Sequence, residues 1–147
     1  MSEQNRDLVS RWFREYWGEL NPAVVDELAA EDVRLSYPLG GESRGREEVK
    51  NRILGFEKLF PDASFELTDD LIVDDDSVVA RWEGEGTHTG PAWELPVGTV
   101  PEASGETIAY TGITVYRVRN GEIVDEYGEG DYLGVVRQLG LVDSRNE

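Results

Sequence analysis

The residues of this sequence that could perform acid–base chemistry gather near the end of the chain. The stretch EYGEGDYLGVVRQLG, from Glu126 to Gly140, reads as a strand that runs into a short apolar helix. Asp131 lies at the junction of the two. A carboxylate there either caps the helix by accepting a backbone amide or faces a pocket as an acid or base. Its position alone leaves both roles open.

Strand alternation does not decide which acid of this stretch points inward. It places five residues on one face of the strand: Ile123, Asp125, Tyr127, Glu129 and Asp131. Three acids on one buried face would be costly to desolvate, so we expect the alternation to break. Gly128 and Gly130 are suitable positions for a β-bulge. Asp125, Glu129 and Asp131 therefore remain equal candidates on alternation alone.

His88 is the only histidine of the chain, and the chain has no cysteine. It lies in GEGTHTG, at the end of a predicted strand, where strand alternation places its side chain on the same face as that of Trp82. A lone histidine is often a surface or core residue, but Gly84 and Gly86 leave open space on its face, which suits a bound ligand. With one histidine, no cysteine and no recognisable ligand spacing, we expect no metal site.

Three aromatic residues are candidate walls of a pocket: Trp17, Tyr37 and Trp93. Ordinary core packing is the alternative for each, and it is the stronger interpretation for Trp17. Trp93 lies in the loop GPAWELPVG after a strand, where an apolar residue is typical of a lid over a pocket.

The elements that must position these residues follow from hydrophobic periodicity. Steps of three and four predict helices from Leu8 to Leu20, after Asn21-Pro22, and from Arg46 to Leu59. A short strand, VRLSY, precedes the third helix. The period then changes to two, and four strands follow, with a hairpin turn at Asn120-Gly121. This order predicts one α+β domain over residues 1–147, in which three N-terminal helices pack on a curved, mostly antiparallel sheet that encloses an apolar pocket.

Composition limits the partners of the protein. Its 147 residues include 31 acids against 14 bases, a net charge of −17. Such a surface repels nucleic acids and anionic membranes, and neither a membrane span nor a signal-peptide pattern is present. We expect a cytoplasmic protein. The scattered acids and scarce lysine indicate a halophile, in which molar salt screens self-repulsion over about 3 Å, although an ordinary acidic protein is the alternative.

Several motifs resemble the SnoaL-like polyketide cyclases, the ester-cyclase group of the NTF2-like superfamily. They occur in order along nearly the whole chain: the aromatic first helix, the Phe60-Pro61-Asp62 junction, GTHTG, TGI, the NG-I hairpin and the closing D-x-LG-x-x-x-QLG. The resemblance implies an NTF2-like cone with a buried pocket and no cofactor. It also implies a homodimer or larger assembly that pairs through the outer sheet face.

The resemblance also implies roles for particular residues. In the family an aspartate of the closing motif acts as acid/base in an intramolecular aldol ring closure, and the matching residue here is Asp131. The family histidine of GTHTG matches His88, which would donate or orient a hydrogen bond. Tyr127 stands where the family commonly has tryptophan, and would shape the pocket with Tyr37, Trp93 and Trp17.

These roles predict ring closure, or related C–H proton abstraction, on a hydrophobic carbonyl substrate. A dry pocket would raise the pKa of the base, and a donor would stabilise the enolate oxygen. Two alternatives stay open: isomerase or epoxide-hydrolase chemistry, and a non-catalytic binder of a small hydrophobic molecule. An enzyme should show an inward acid of perturbed pKa beside a donor, whereas a binder should show Asp131 used as a helix cap.

Overall fold

The computed structural model describes residues 2–142. This part of the chain contains four α-helices, the first of which continues into a π-helical turn, Phe13–Trp17. The α-helices are α1, Ser2–Trp12; α2, Val24–Leu28; α3, Gly45–Leu59; and α4, Tyr132–Gln138. The three predicted N-terminal helices are present, and α4 is the short terminal helix expected after Asp131. Within residues 2–142 no helix is long and apolar enough to cross a membrane.

The strands of residues 2–142 form a seven-stranded sheet and a separate two-stranded hairpin. Their bounds are β1, Ala29–Tyr37; β2, Gly41–Arg44; β3, Ser64–Leu67; β4, Ile72–Asp74; β5, Ser77–Thr87; β6, Trp93–Leu95; β7, Gly98–Val100; β8, Thr107–Arg119; and β9, Glu122–Gly130. The large sheet runs β2-β1-β9-β8-β5-β3, with β4 also on β5, and β6 pairs with β7. Only β1 and β9 are parallel within it. The predicted α+β class, with a curved and mostly antiparallel sheet, is confirmed.

The helices pack on the inner face of the sheet because their apolar residues recur at steps of three and four. Val9, Trp12 and Tyr16 of the first helix are fully buried, as are Val49 and Ile53 of α3. The inner positions of β5 and β8 alternate with exposed ones, as the period of two predicts. The helices therefore cover the apolar inner face of the sheet. The opposite face, which carries the exposed positions of β5 and β8, is called the outer face.

A β-bulge in β9 decides which acids of the C-terminal strand point inward. Arg117 pairs with Asp125 but its neighbour Val118 pairs with Ile123, so Val124 is the extra residue. The bulge shifts the parity of every later position. Ile123 and Glu126 are both buried as a result. The expectation of a bulge is confirmed, but its predicted place at Gly128 or Gly130 is wrong.

Two inner-face glycines let aromatic rings lie directly on the sheet. A Cβ on Gly84 would meet the Phe65 ring at 2.4 Å, and one on Gly112 would meet Trp82 at 2.2 Å. Neither ring could keep its place beside a larger residue. The space that the sequence left open at Gly84 is thus occupied by the protein's own Phe65.

Candidate functional site

A cavity of about 660 Å³ opens between α3, the π-helical turn and the inner face of the sheet. Its volume lies within the range typical of small-molecule sites. Most of its deep surface is aromatic, with contributions from Phe13, Trp17, Tyr37, Phe56, Phe65 and Trp82. The cavity therefore suits a hydrophobic molecule with flat rings.

The aromatic walls hold each other in place through edge-to-face contacts. Trp17 meets Tyr37 with ring centroids 5.8 Å apart and Phe65 at 5.4 Å. Trp82 meets Tyr110 at 5.3 Å, nearly perpendicular. Such pairs add stabilisation beyond area burial, roughly 0.5–1.5 kcal/mol each. The cavity is consequently a preformed shape and not a gap between mobile side chains.

Phe13 and Trp17 reach the cavity from the π-helical turn that ends the first helix. Short π-helical segments occur frequently at functional sites. Here the turn closes with a bond of 2.9 Å from the Gly18 amide to the Phe13 carbonyl. Phe13 and Trp17 both line the cavity, while Tyr16 between them is fully buried in the core.

Behind the aromatic wall lies a fully buried carboxylate, Glu126, whose side chain accepts three hydrogen bonds. The Trp12 indole donates to Oε1 at 2.8 Å, and the Trp17 indole donates to Oε2 at 2.7 Å. The Tyr37 hydroxyl also donates to Oε2, at 2.5 Å, and it lies 2.9 Å from Thr114 Oγ1. Two of these donors, Trp17 and Tyr37, line the cavity.

Burial makes the charged form of Glu126 less stable than that of a carboxyl in water. Burial raises the pKa of the carboxyl above its usual range, while the bonds from Tyr37, Trp17 and Trp12 oppose that shift. Burial and the neighbouring Glu126 charge raise the pKa of Tyr37 well above 10, so this phenol keeps its proton at neutral pH. The pair thus joins an acid of perturbed pKa to a protonated hydroxyl at the cavity wall.

Sequence reasoning missed Glu126 because the assumed alternation placed it outward. A signal for it was present in the first helix. Trp12 and Trp17 carry indole N–H groups that need an acceptor once buried. A buried acid on the facing strand supplies that acceptor, and only a bulge before position 126 turns it inward.

Asp131 lies outside the cavity. Its Oδ1 accepts the amide of Gly134 at 2.9 Å, which makes it the cap of α4. The side chain is exposed, and it borders a shallow depression on the outer face of the sheet together with Glu66, Glu83 and Glu85. The prediction that Asp131 faces the pocket mouth is corrected, because the bulge sends the odd positions of late β9 outward.

His88 is fully buried, yet it does not line the cavity. Its Nε2 lies 2.7 Å from the Pro91 carbonyl and its Nδ1 lies 2.9 Å from Ser104 Oγ. Because the Pro91 carbonyl can only accept, Nε2 donates to it, and the Ser104 hydroxyl partners Nδ1. His88 thereby ties the two ends of the loop that carries Trp93, and it positions the cavity wall without touching its contents.

The remaining predicted pocket residues divide into two groups. Trp17, Tyr37 and Trp93 all line the cavity, so the structure brings these three together. Tyr127 does not, because it points outward and is 38% exposed. The expected place of Tyr127 on the pocket wall is therefore corrected for the same reason as that of Asp131.

Polar groups of the cavity lie mainly at its mouth. Tyr132, at the start of α4, lines the cavity, and burial raises its pKa to about 12. Arg52 and Lys58 enter from α3. Among residues 2–142 no group of three or more histidine, aspartate or glutamate side chains is arranged to hold a metal ion.

The family model for SnoaL-like polyketide cyclases matches residues 7–139. The chain belongs to the SnoaL-like polyketide cyclase family. The match includes the helices, the sheet and the cavity described above. An NTF2-like α+β cone is accordingly its fold.

Solved structures agree with this family and fold. A candidate SnoaL-like polyketide cyclase from Jannaschia sp. CCS1 superposes with a TM-score of 0.81 at 22% identity, covering 95% of this chain and 93% of that one. TsrD from Streptomyces laurentii gives 0.78 at 26% identity, with 97% and 98% covered. A candidate polyketide cyclase from Acidithiobacillus ferrooxidans gives 0.75 at 25% identity, with 95% and 96% covered. No curated protein matches the chain.

Proposed function

We propose that this SnoaL-like protein is a cofactor-independent cyclase that abstracts a proton beside a carbonyl and closes a ring by intramolecular aldol addition. The observation that supports this most is the buried Glu126, whose carboxylate accepts the Tyr37 hydroxyl at the cavity wall. An inward acid of raised pKa beside a donor is what acid–base catalysis requires. Glu126 takes the role that the family motif assigned to Asp131.

In the proposed mechanism Tyr37 relays the proton, since it lines the cavity and Glu126 does not. The substrate C–H bond breaks, the phenolic oxygen gains that proton, and the original phenolic proton moves to Glu126 Oε2. The products of this step are a substrate enolate, a neutral Tyr37 and a protonated Glu126. Aldol addition then turns the acceptor carbonyl oxygen into an alkoxide, and the same relay in reverse returns the proton to it.

Tyr132 is suited to stabilise the enolate oxygen. Its pKa of about 12 means that the hydroxyl remains protonated at neutral pH and can donate. A donor aimed at a developing oxyanion in a water-poor site contributes on the order of 3 kcal/mol. The aromatic walls contribute further by holding the substrate folded so that its two reacting carbons meet.

The proposal is tested with a probe ketone, because proton abstraction precedes any ring closure. β-Tetralone is a flat bicyclic ketone, and the loss of its α-proton signal in D₂O is followed by NMR. We expect the wild-type protein to accelerate exchange and Tyr37→Phe to reduce the accelerated rate by about 100-fold, the scale of general acid–base catalysis. Wild-type exchange at the rate of buffer alone would overturn the proposal.

A second function is favoured by one observation, the use of Asp131 as a helix cap. If the cavity only binds a hydrophobic molecule, β-tetralone should quench the fluorescence of Trp17 and Trp93 without any accelerated exchange. Quenching and exchange measured on the same sample therefore separate the two functions.

We also propose that the chain forms a homodimer through the outer face of the sheet. Ile113 is 47% exposed there; its partner on β9 is Glu129, and Tyr127, 38% exposed, lies two positions before Glu129 on the same face. Exposed apolar residues on one face are typical of an interaction surface. We expect light scattering to give twice the monomer mass of 16.5 kDa, and Ile113→Glu to give a monomer. A wild-type monomer at micromolar concentration would contradict this proposal.

A further inference from the structure

The mouth of the cavity carries positive charge in a chain whose net charge is −17. Arg52 and Lys58 are the two basic residues that line it. Among residues 2–142 neither forms an ion pair with a carboxylate. Seven other basic residues do: Arg11, Arg14, Arg34, Arg44, Arg46, Lys50 and Arg81. Four more within that range do not, Arg6, Arg117, Arg119 and Arg137, but none of these lines the cavity. In the described part of the chain, Arg52 and Lys58 are thus the cations without an ion pair that a molecule in the cavity can reach.

Arg52 is held in place by neutral acceptors. Its Nε donates to Ser43 Oγ at 3.0 Å, and its Nη2 donates to the carbonyls of Gly40, at 3.1 Å, and Gly41. The guanidinium carbon lies 5.9 Å from the centre of the Tyr37 ring. None of these contacts neutralises the charge, and Nη1 donates none of the three bonds. Arg52 is therefore a fixed, half-buried cation with donors to spare.

The acidic residues near the opening compensate this charge only in part: Arg52 forms no ion pair, but its charge acts on the buried Glu126 and lowers the pKa of that carboxyl. Glu48 is the single carboxylate that lines the cavity, and its Oε1 accepts the Arg44 amide at 2.8 Å. Glu126 lies behind the wall, where its oxygens are occupied by Trp12, Trp17 and Tyr37. The charged residues that line the cavity are thus two cations and one carboxylate, an excess of one positive charge.

We propose that the substrate is an amphipathic carboxylate, with a flat apolar body between the aromatic walls and its carboxylate on Arg52. This inference rests on the proposed function, whose site it shares, and it names the substrate class. The unused N–H groups of Arg52 are those of Nη1, and a charge-assisted hydrogen bond from Nη1 to a carboxylate is stronger than one to a neutral carbonyl. Lys58 adds a second positive charge at the same opening. The substrate therefore enters body first, with its reacting carbons next to Tyr37.

The test compares two ligands that differ in charge and little in shape, 2-naphthoate and 2-naphthamide. Affinities are measured by titration calorimetry at neutral pH and fixed salt. We expect wild-type protein to bind the carboxylate about 10-fold or more tighter than the amide, on the scale of a hydrogen-bonded charge pair. If the wild-type protein binds 2-naphthoate no more tightly than 2-naphthamide, the inference is overturned, whatever the variants show.

The variants then locate the charge that is recognised. Arg52→Gln should lower the affinity for naphthoate by about 10-fold and leave that for naphthamide within about 2-fold. Arg52→Lys should give an intermediate loss, because the charge stays but the bonds to Ser43, Gly40 and Gly41 that fix the position of Nη1 are lost. Arg81→Gln is the matched control, since Arg81 is exposed and pairs with Asp69 away from the cavity. Equal weakening of both ligands by Arg52→Gln would contradict the assignment.

This experiment is independent of catalysis. A carboxylate preference without proton exchange on β-tetralone would keep the ligand class and reject the proposed chemistry. Accelerated exchange without a carboxylate preference would reject the ligand class and keep the chemistry.

Discussion

Glu126 and Asp131 lie five positions apart on one short stretch of chain, yet their environments are opposite. Glu126 is fully buried and accepts three side-chain hydrogen bonds behind the cavity wall. Asp131 is exposed and accepts one backbone amide at the start of α4. Glu126 has a raised pKa and accepts a hydrogen bond from Tyr37, which lines the cavity. Asp131 is exposed to solvent, and its hydrogen bond caps a helix.

The difference follows from a single extra residue, Val124. With regular alternation after Ile123, Asp125 would point inward and Glu126 outward. The bulge exchanges the two, so Asp125 pairs with Arg34 near the surface and Glu126 enters the core. A motif can therefore preserve an aspartate at its usual place in the sequence while the buried acid of the fold is another residue.

The largest effect should come from removing the buried acid. Glu126→Ala leaves the indoles of Trp12 and Trp17 and the Tyr37 hydroxyl without their acceptor and opens a cavity in the core. Breaking a buried charged network costs roughly 3–5 kcal/mol. We expect that decrease in the free energy of unfolding, measured by urea denaturation.

Asp125→Ala is the matched control for this measurement. It removes the neighbouring acid and its ion pair with Arg34, whose side chain is 42% exposed. Such pairs contribute about 0–1 kcal/mol. Similar losses from Asp125→Ala and Glu126→Ala would show that the Glu126 network does not stabilise the fold in the way described.

The raised pKa of Glu126 predicts a pH dependence of stability with a definite sign. The folded protein holds a proton at Glu126 to higher pH than the unfolded chain, whose carboxyl titrates near the ordinary value of 4.5. The contribution of Glu126 to the free energy of unfolding is therefore greatest below pH 4.5 and declines as pH rises through the pKa of the folded protein. The total decline is about 1.4 kcal/mol for each unit by which the folded pKa exceeds the unfolded pKa.

Glu126→Gln isolates this effect, because every other titrating group remains. We expect the stability of the wild-type protein relative to the Gln variant to decrease as pH rises above 4.5, in urea denaturation at several pH values. A relative stability that rises with pH would mean that the hydrogen bonds lower the pKa more than burial raises it.

The smallest effect is expected at Asp131. Asp131→Ala removes the helix cap and should cost about 1 kcal/mol, as capping substitutions do. Asp131→Asn keeps a side-chain oxygen for the Gly134 amide and should lower the free energy of unfolding by only a few tenths of a kcal/mol. A loss of 3 kcal/mol or more from Asp131→Ala, measured in urea as above, would show that Asp131 does more than cap α4.

The sequence predicted the fold well because apolar periodicity and turn residues are local signals. The stripe of the first helix, the Asn120-Gly121 hairpin and the change from period three-to-four to period two each depend on a few neighbouring residues. They determined the α+β order of elements and the helix from Arg46 to Leu59, which the structure places at Gly45–Leu59. The aromatic residues Trp17, Tyr37 and Trp93 were also identified, because cavity walls in such folds are built from large apolar side chains.

The acid of the site was harder to predict because its direction depends on the pairing between strands. Only the register of β8 against β9 reveals that Val124 is extra. Two of the partners of Glu126, Trp12 and Trp17, come from more than a hundred positions away, and the third, Tyr37, comes from β1. The role of His88 has the same origin, since Pro91 and Ser104 meet it only when the loop between them folds back.

We propose that Glu126, and not Asp131, handles the proton in the cavity. The most direct measurement is α-proton exchange of β-tetralone in D₂O by Glu126→Gln and Asp131→Asn, compared with wild type at a pH where all three are folded. We expect Glu126→Gln to reduce the accelerated rate by about 100-fold or more and Asp131→Asn to leave it within about 3-fold of wild type, since that cap is kept. The reverse result, loss of exchange in Asp131→Asn with exchange retained in Glu126→Gln, would contradict the account and return the catalytic role to the aspartate of the closing motif.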